Sequence, residues 1–278
     1  MFFVRSTLFG GCPRVLSITR AFASMNASKK RPYICDYYIQ SVDKVVKIEA
    51  AVPSDEELIT EFLNQIAAER EPTCLSTGAT AEDFYPFTSA VAKKGLEEPY
   101  TLMAFYKNEL VAASIGNRAK IDRSRVVKSE IREDYKDTID RLEEWIPSRK
   151  ARRVVGPAYD LVDIVNNFLP KDVNEILRLD LSGARCDFTG GNIIRKLLYE
   201  QAKIGLKNGL VWTDGQTTAK GTERAATVLG FKPVFAIPYD RMFDGKERIH
   251  PKVPLCGGST HLTLFLGQTS EIASKSKC

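Results

Sequence analysis

The spacing of apolar residues predicts alternating strands and helices along most of the chain. Short runs in which apolar residues alternate with polar ones, or follow one another without a break, are typical of β-strands. Apolar residues that recur at intervals of three and four indicate one face of an α-helix. The pattern predicts strands at 45–52, 101–106, 109–114, 175–181, 210–213, 232–237 and 261–266. Helices are predicted at 54–71, 81–94, 118–153, 158–168, 192–207 and 217–229.

The first predicted helix has recognisable signals at both ends. Ser54 is a favourable N-cap, and the acidic residues that follow it suit the first turn of a helix. One apolar face is formed by Leu58, Phe62 and Ile66. Pro72 keeps the preceding residue, Glu71, out of helical geometry, so we expect the helix to end there.

The segment 118–153 combines an apolar stripe with dense charge. It contains 12 basic and 8 acidic side chains. The stripe, with spacings of three and four, consists of Val127, Ile131, Tyr135, Ile139, Leu142 and Ile146. We interpret the segment as an amphipathic helix with a solvated charged face. The mixed signs of its charges disfavour a surface that binds nucleic acid, since such a surface is predominantly basic.

The charge balance of the chain depends on its first 35 residues. The whole chain has a net charge of +5, which by itself would suggest an anionic partner. Residues 1–35 contain six basic residues and no acidic one, so the remaining chain has 34 basic and 35 acidic residues, a net charge of −1. The positive charge therefore belongs to an N-terminal leader, and the rest of the chain is nearly neutral.

Several interpretations of this leader stay open. Its basic, acid-free, Ser-containing composition is typical of a mitochondrial transit peptide. A disordered tail, or a true start at Met25, accounts for the same composition. A secretory signal is disfavoured because the run from Gly10 to Arg14 interrupts any apolar core. We therefore expect a mitochondrial or a cytoplasmic protein.

The composition excludes several classes of protein. With 278 residues, 44% hydrophobic and 27% charged, the chain is typical of a soluble globular protein of one large or two small domains. No stretch reaches the roughly 18 apolar residues of a membrane-spanning helix. The six cysteines form no CxxC pair, and the two histidines, His250 and His261, give no zinc-site spacing. We expect free thiols, no metal, and no membrane or nucleic-acid partner; the oligomeric state stays open.

Two stretches in the C-terminal third resemble a known superfamily. Residues 184–198 read Ala-Arg-Cys-Asp-Phe-Thr-Gly-Gly-Asn-Ile-Ile-Arg-Lys-Leu-Leu, and residues 222–231 form a predicted helix that ends in Leu-Gly-Phe. The first resembles the cofactor-binding motif A of the GCN5-related N-acetyltransferases, and the second resembles the motif that follows it. Glu71-Pro72 and a helical insert at 118–168 resemble the arylalkylamine N-acetyltransferase-like branch of that superfamily.

The resemblance implies a fold and an activity. The fold is an α/β (α+β) acyl-CoA N-acyltransferase fold, with a mixed sheet of about seven strands flanked by helices. It occupies a single domain over 44–268, followed by a C-terminal tail at 269–278. The implied activity is transfer of acetyl from acetyl-CoA, the co-substrate, to a small arylalkylamine-like primary amine, by direct attack in a ternary complex.

The resemblance also implies a cofactor-binding stretch, from which this chain departs at three positions. Thr189 stands where the motif has Arg or Gln, Asn192 where it has Gly, and Ile194 where it has Gly or Ala. Asn tolerates a left-handed conformation, whereas Ile194 adds bulk where backbone and pyrophosphate approach each other. The helix N-terminus after the glycines would bind the phosphates. The expected cofactor-binding residues are Ala184, Cys186, Thr189, Gly190, Gly191, Asn192, Ile193 and Ile194.

Two residues are expected to take part in catalysis. An alkylammonium must lose a proton before it attacks, and the resemblance places the general base at Glu71. The tyrosine that many superfamily members use to protonate the thiolate is absent, and Thr222 offers a hydroxyl where the branch often has Ser. A surface carboxylate and a helix-surface Thr are the alternatives. Cys186 has no evident His partner, so we do not expect it to act as a nucleophile.

Two other functions remain compatible with the sequence. A non-catalytic protein that binds CoA would account for Asn192, Ile194 and the missing tyrosine. A peptide or protein N-acyltransferase, or one that takes a larger acyl group, would keep the same motifs, because acceptor specificity depends on the variable segments 72–100 and 118–170.

Overall fold

A computed structural model describes residues 30–124, 130–190 and 192–275 of the chain. Its strands are β1 (Tyr33–Ile39), β2 (Lys44–Ala50), β3 (Leu102–Tyr106), β4 (Glu109–Lys120), β5 (Glu175–Ala184), β6 (Trp212–Thr217), β7 (Lys232–Pro238), β8 (Phe243–Asp244), β9 (Glu247–Arg248) and β10 (His261–Gln268). Its helices are α1 (Glu56–Arg70), α2 (Pro72–Thr77), α3 (Ala81–Gly95), α4 (Lys136–Arg141), α5 (Arg149–Ile164), α6 (Ile193–Lys207), α7 (Lys220–Val228) and α8 (Thr269–Ala273).

Within the described residues, eight strands form one mixed sheet in the order β1-β2-β3-β4-β5-β6-β10-β7. Neighbouring strands are antiparallel except for β5 and β6, which are parallel. The expected α/β fold is confirmed, with one strand more than the roughly seven predicted. The additional strand is β1, which begins in the last residues of the basic leader and alternates too weakly to be recognised as a strand.

The sheet opens into a fork between β5 and β6. Their parallel pairing covers only Leu177–Leu179 against Thr213–Gly215. Beyond this point β5 continues to Ala184 beside β4 alone, with a register irregularity between Ser114 and Gly116 on β4. The strands therefore diverge, and the backbone of β5 past Leu179 has no strand partner on its β6 side among the described residues.

Helices cover both faces of this sheet. On one face α6 lies so close to β5 that Gly205 sits against Leu177, where a Cβ atom would approach the leucine side chain to 3.0 Å. On the other face α1 packs on the far end of β5, and Leu63 and Ile66 contact Gly183. The core consists of a cluster under α6, a second under α1, α3 and α5, and a third that joins α4 and α5 to β10. The helix that ends at Glu71 is thus fixed directly over β5.

The predicted single helix at 118–153 is wrong. Strand β4 extends to Lys120, a short helix covers 136–141, and α5 begins only at Arg149. Pro147 explains the break immediately before α5, because the residue before a proline is driven out of helical geometry. The stripe itself marks buried positions: Tyr135, Ile139, Leu142 and Ile146 are all in the core, and Val127 lies outside the described residues.

Other boundaries also differ from the predictions. The helix expected at 158–168 is the end of α5, followed by a 3₁₀ turn at Val165–Asn167. Ser54 is not the N-cap of α1, since it lies in a 3₁₀ turn, Pro53–Asp55. The Asp55 carboxylate accepts a hydrogen bond from the Val52 amide at 3.0 Å and stabilises this turn instead. The helix expected at 217–229 begins three residues later, at Lys220.

Residues beyond both predicted ends of the domain also contact its core elements. Sheet residues begin at Tyr33, and the Arg31 guanidinium donates to the Asp55 carboxylate at 2.8 and 2.9 Å, so the last residues of the basic leader belong to the fold. Residues 1–29 lie outside the described part of the chain. The expected tail begins with α8, whose Ile272 is buried against the core under α6.

Candidate active site

Glu71 occupies the corner between α1 and α2. It has an extended backbone conformation, ends α1 and caps α2, because Pro72 favours the first position of a helix and excludes helical geometry at the residue before it. Its Oε1 accepts a hydrogen bond from Thr73 Oγ1 at 2.9 Å and a longer one from the Thr73 amide at 3.4 Å. The predicted helix end is confirmed. The carboxylate is fully buried, which excludes the alternative of a surface Glu.

The surroundings of Glu71 favour its protonated form more than water does. Burial raises the pKa of Glu71 to about 7, while the hydroxyls of Thr218 and Thr73 act in the opposite direction. Among the described residues, neither Glu71 Oε2 nor Thr218 Oγ1 has a partner within hydrogen-bond geometry. The Thr218 hydroxyl lies close enough to Glu71 to act on its pKa, and a polar ligand at this point would complete the hydrogen bonding of both atoms.

Thr218 reaches this site from the connection between β6 and α7. Its carbonyl oxygen accepts hydrogen bonds from Tyr239 Oη at 2.9 Å and from Ser259 Oγ at 2.6 Å. All three residues are buried. The sequence alone indicated no site role for Thr218, Tyr239 or Ser259. Nothing in the local pattern of these residues could have revealed contacts across 21 and 41 positions of the chain.

His250 packs against Tyr239. The rings of Tyr239 and His250 meet edge to face, with centroids 4.9 Å apart. His250 Nδ1 lies 3.1 Å from Ser76 Oγ on α2, and burial lowers the pKa of His250 to about 4, so the imidazole is neutral at physiological pH. His250 therefore connects the segment after β7 to the helix that Glu71 caps.

A second carboxylate lies at the fork of the sheet. Asp180 is the first residue of β5 beyond the pairing with β6, and Asn117 Nδ2 donates a hydrogen bond to it. Burial raises the pKa of Asp180 to about 6. The neighbouring Arg178 is engaged with Asp214 at 2.9 Å across the paired strands. The fork thus carries the Asp180 carboxylate, and the neighbouring Arg178 cannot fully neutralise it because Arg178 is already paired with Asp214.

The expected cofactor-binding stretch begins at the end of β5, where it lies close in space to the end of α1. Arg70 Nη1 lies 3.4 Å from the Ala184 carbonyl oxygen, so the residue before Glu71 contacts the first residue of the stretch. A 3₁₀ turn follows at Cys186–Phe188, and Thr189 Oγ1 donates to the Cys186 carbonyl at 2.7 Å. Thr189 therefore stabilises the turn rather than supplying the charge that Arg would bring.

The loop then turns into α6 through left-handed backbone. Gly190 has φ +87° and Asn192 has φ +58°; Gly191 lies outside the described residues. Gly and Asn are the residues that adopt this conformation most readily, so Asn192 meets the same backbone requirement as the glycine of the motif. The side chains of Ile193 and Ile194 are buried in the core under α6. The bulk of Ile194 therefore fills the interior, and the expected obstruction at the loop is not seen.

Thr222 is buried in the first turns of α7, which excludes the alternative of a helix-surface threonine. Thr218, four residues earlier, lies just before that helix. The structure thus brings Thr218 against Glu71 and places Thr222 on the adjoining helix. The N-terminus of α6 begins at Ile193, after the glycine-bearing loop. No group of three or more metal-ligating side chains occurs among the described residues, and none of their helices is long and apolar enough to cross a membrane.

Comparison with solved structures defines the class of fold. Arylalkylamine N-acetyltransferase 2 of Aedes aegypti superposes with a TM-score of 0.64 at 16% identity, covering 81% of this chain and 99% of the other. Putative arylalkylamine N-acetyltransferase 7 of the same mosquito gives 0.63 at 16% identity, covering 87% and 98%. The polyamine N-acetyltransferase of Drosophila melanogaster, an enzyme that forms N-acetylagmatine, gives 0.60 at 14% identity, covering 80% and 99%.

The chain therefore has the fold of the GCN5-related N-acetyltransferases, as the sequence motifs suggested. Among solved structures, it is similar to insect arylalkylamine and polyamine N-acetyltransferases over nearly their whole length. No protein-family model and no curated protein sequence matches the chain. At these identities the similarity establishes the fold, and the activity has to be argued from the site.

Proposed function

We propose that this protein is an acyltransferase that moves the acetyl group of acetyl-CoA to a small primary amine. The observation that carries the proposal is the buried Glu71 carboxylate, with its pKa raised to about 7, beside a forked sheet and a glycine-bearing loop. A group with a pKa near the working pH can take a proton and give it up again, which is what general base catalysis requires. The similarity to N-acetyltransferases supports this proposal.

Acetyl-CoA would bind along the open edge of β5. The backbone groups of 180–184 face the fork and would pair with the amides of the pantetheine arm, and the amide groups at the start of α6 would bind the pyrophosphate. The positive end of the helix dipole would stabilise the phosphate charge without any basic side chain. The left-handed Asn192 leaves these amides available, which is why the non-catalytic alternative receives no support from its departure from the motif.

In the reaction, Glu71 would remove one proton from the alkylammonium of the acceptor. The free amine would attack the thioester carbonyl, a C–N bond would form, and the C–S bond would break as the tetrahedral intermediate collapses. The thiolate of CoA would then take a proton, for which the Thr222 hydroxyl is the candidate donor. Glu71 would release the first proton to solvent. The second proton, lost by the nitrogen as the C–S bond breaks, would restore the Thr222 hydroxyl after it has protonated the thiolate, so protons and charges balance.

The acceptor would be cationic in solution. The site has a fully buried carboxylate, Glu71, and a half-buried one near the fork, Asp180, and the guanidinium of Arg178 is engaged with Asp214. Such a site attracts an alkylammonium and disfavours a neutral or acidic acceptor. An arylalkylamine, a polyamine or agmatine fits this description, and the residues of the site do not distinguish among them.

Replacement of Glu71 tests the proposal. We expect Glu71→Gln to lower kcat/KM for an amine acceptor by about 100-fold, because a general base contributes factors of this size. Calorimetric binding of acetyl-CoA should be unchanged. Glu69→Gln is the matched control, since Glu69 is exposed on the same helix two residues away. No binding of acetyl-CoA at millimolar concentration, or full turnover by Glu71→Gln across amines and peptides, would refute the proposal.

A further inference from the structure

Two hydroxyl groups from distant parts of the chain donate to one backbone carbonyl in the candidate site. Tyr239 follows β7 and Ser259 precedes β10, and both hydroxyls reach the carbonyl oxygen of Thr218, at 2.9 and 2.6 Å. A carbonyl oxygen has two lone pairs, so these two donors saturate it. The arrangement does more than satisfy one buried acceptor, because a single donor would have been enough for that.

The Thr218 peptide, whose carbonyl accepts these two hydrogen bonds, lies in the connection between β6 and α7, outside regular secondary structure. β6 ends at Thr217 and α7 begins at Lys220, so Thr218 belongs to neither element. A peptide outside regular structure keeps its orientation only through contacts of this kind. Two donors from different directions fix the plane of the peptide, and with it the direction of the Thr218 Cα–Cβ bond.

That direction determines where the Thr218 hydroxyl points. The hydroxyl acts on the Glu71 carboxylate, since it opposes the rise in the pKa of Glu71. Yet Thr218 Oγ1 and Glu71 Oε2 are both buried and, within the described residues, both lack a hydrogen-bond partner. Leaving two such atoms unsatisfied is costly unless a ligand or water bridges them.

We propose that Tyr239 and Ser259 are positioning residues that hold the Thr218 hydroxyl opposite Glu71, so that the two together receive the nitrogen of the acceptor amine. Glu71 takes the proton, and Thr218 accepts a second N–H from the ammonium and fixes its orientation. This inference rests on the proposed function, because it assigns to the same site the atoms that orient the acceptor.

The same geometry excludes Tyr239 as the acid that protonates the thiolate. Its O–H is donated to a backbone carbonyl, and burial together with the charge of Glu71 raises its pKa well above the ordinary value. The other titratable groups that act on the cluster are Cys74, whose pKa burial and Glu71 raise, His250, and Glu223 on α7, whose charge also raises the pKa of Tyr239. Cys74 and His250 are uncharged at neutral pH, and Glu71 is the group whose pKa is raised to about 7.

Variants that remove one donor at a time test the inference. We expect Tyr239→Phe and Ser259→Ala each to lower kcat about tenfold while the KM for acetyl-CoA stays within twofold. The double variant should lose more than the product of the two, because the carbonyl is then buried with neither donor. Ser259→Thr keeps the hydroxyl and should restore most of the activity lost in Ser259→Ala.

A second measurement separates positioning from a merely structural role. If Thr218 drifts away from Glu71, the pKa of Glu71 should rise, and both the acidic limb of kcat/KM and a titration of ¹³C-labelled glutamate should shift to higher pH. Thr101→Val is the matched control. It removes a buried hydroxyl that donates to the carbonyl of Gly95, the last residue of α3, at 2.7 Å, and should lower thermal stability without moving either readout.

The outcomes distinguish the inference from the proposed function. If Glu71→Gln is inactive but Tyr239→Phe and Ser259→Ala behave like Thr101→Val, with lower melting temperatures and unchanged kcat and pH limb, the positioning role is refuted and the general base stands. If Glu71→Gln is fully active, the proposed function fails. In that case the titration of Glu71 still tests the positioning role. A Glu71 pKa that is the same in wild type, Tyr239→Phe and Ser259→Ala would show that these two hydroxyls do not act on the carboxylate.

Discussion

At the scale of single residues, the candidate site depends on one carboxylate that the fold has removed from water. Glu71 is buried because the proline after it forces a corner between two helices, and the corner lies over β5. Burial without a positive partner is the strongest way to raise the pKa of an acid. The same residue that would take a proton in catalysis therefore has a measurable effect on stability.

The raised pKa of Glu71 predicts how stability changes with pH. Between the ordinary pKa of 4.5 and about 7, the folded protein keeps a proton on Glu71 that the unfolded chain has lost, so this group lowers the free energy of unfolding as pH rises. Glu71→Gln cannot ionise. Relative to wild type, we expect it to gain about 2.5 kcal/mol in free energy of unfolding between pH 5 and pH 8. Urea denaturation at both pH values measures this; a difference that stays constant with pH would contradict it.

The sequence could identify Glu71 but not the groups around it. Glu71 was recognisable because its role attaches to a local pair, Glu-Pro, that also dictates the local backbone. Thr218, Tyr239 and Ser259 meet only when three separate connections of the sheet come together. Their hydrogen bonds depend on tertiary placement, which neither apolar spacing nor local capping preferences encode.

At the scale of elements, the loop before α6 shows how a departure from a motif can preserve its geometry. Asn192 stands in the left-handed conformation that the motif assigns to glycine, and Ile194 points into the core. The ends of this helix were predicted well, because glycines and an apolar face mark it. The segment 118–153 was predicted poorly, since buried residues at helical spacing occur there in a strand end, a connection and two separate helices, and Pro147 precedes the second helix.

Substitutions at Asn192 test this view of the loop. Asn192→Gly removes a Cβ from a left-handed residue, so acetyl-CoA affinity should stay within about twofold of wild type. Asn192→Val places a β-branched side chain at φ +58°, which should cost about 1–2 kcal/mol of stability and weaken acetyl-CoA at least tenfold as the helix start shifts. Calorimetry and thermal unfolding of both variants measure these effects. Equal affinity for the two would show that the loop conformation does not matter for binding.

At the scale of the whole molecule, the sheet determines where chemistry can take place. Seven of its strands were indicated by apolar runs, and the parallel pair β5–β6 provides the fork. The divergence of that pair was not visible in the sequence, because it depends on the register irregularity in β4 and β5. The fork, the α1–α2 corner and the start of α6 lie around the same end of β5, so one strand connects the expected cofactor site to the expected base.

The proposed activity therefore depends on Glu71 acting as a general base at this end of β5, and the pH dependence of turnover tests this role most directly. With saturating acetyl-CoA and a primary amine as acceptor, kcat/KM for the amine should rise tenfold per pH unit up to about pH 7 and then level off, because only the ionised Glu71 accepts a proton. Glu71→Gln should lose this limb together with most of the activity. A rate that does not change between pH 5 and pH 8, or a limb that Glu71→Gln retains, would contradict the account.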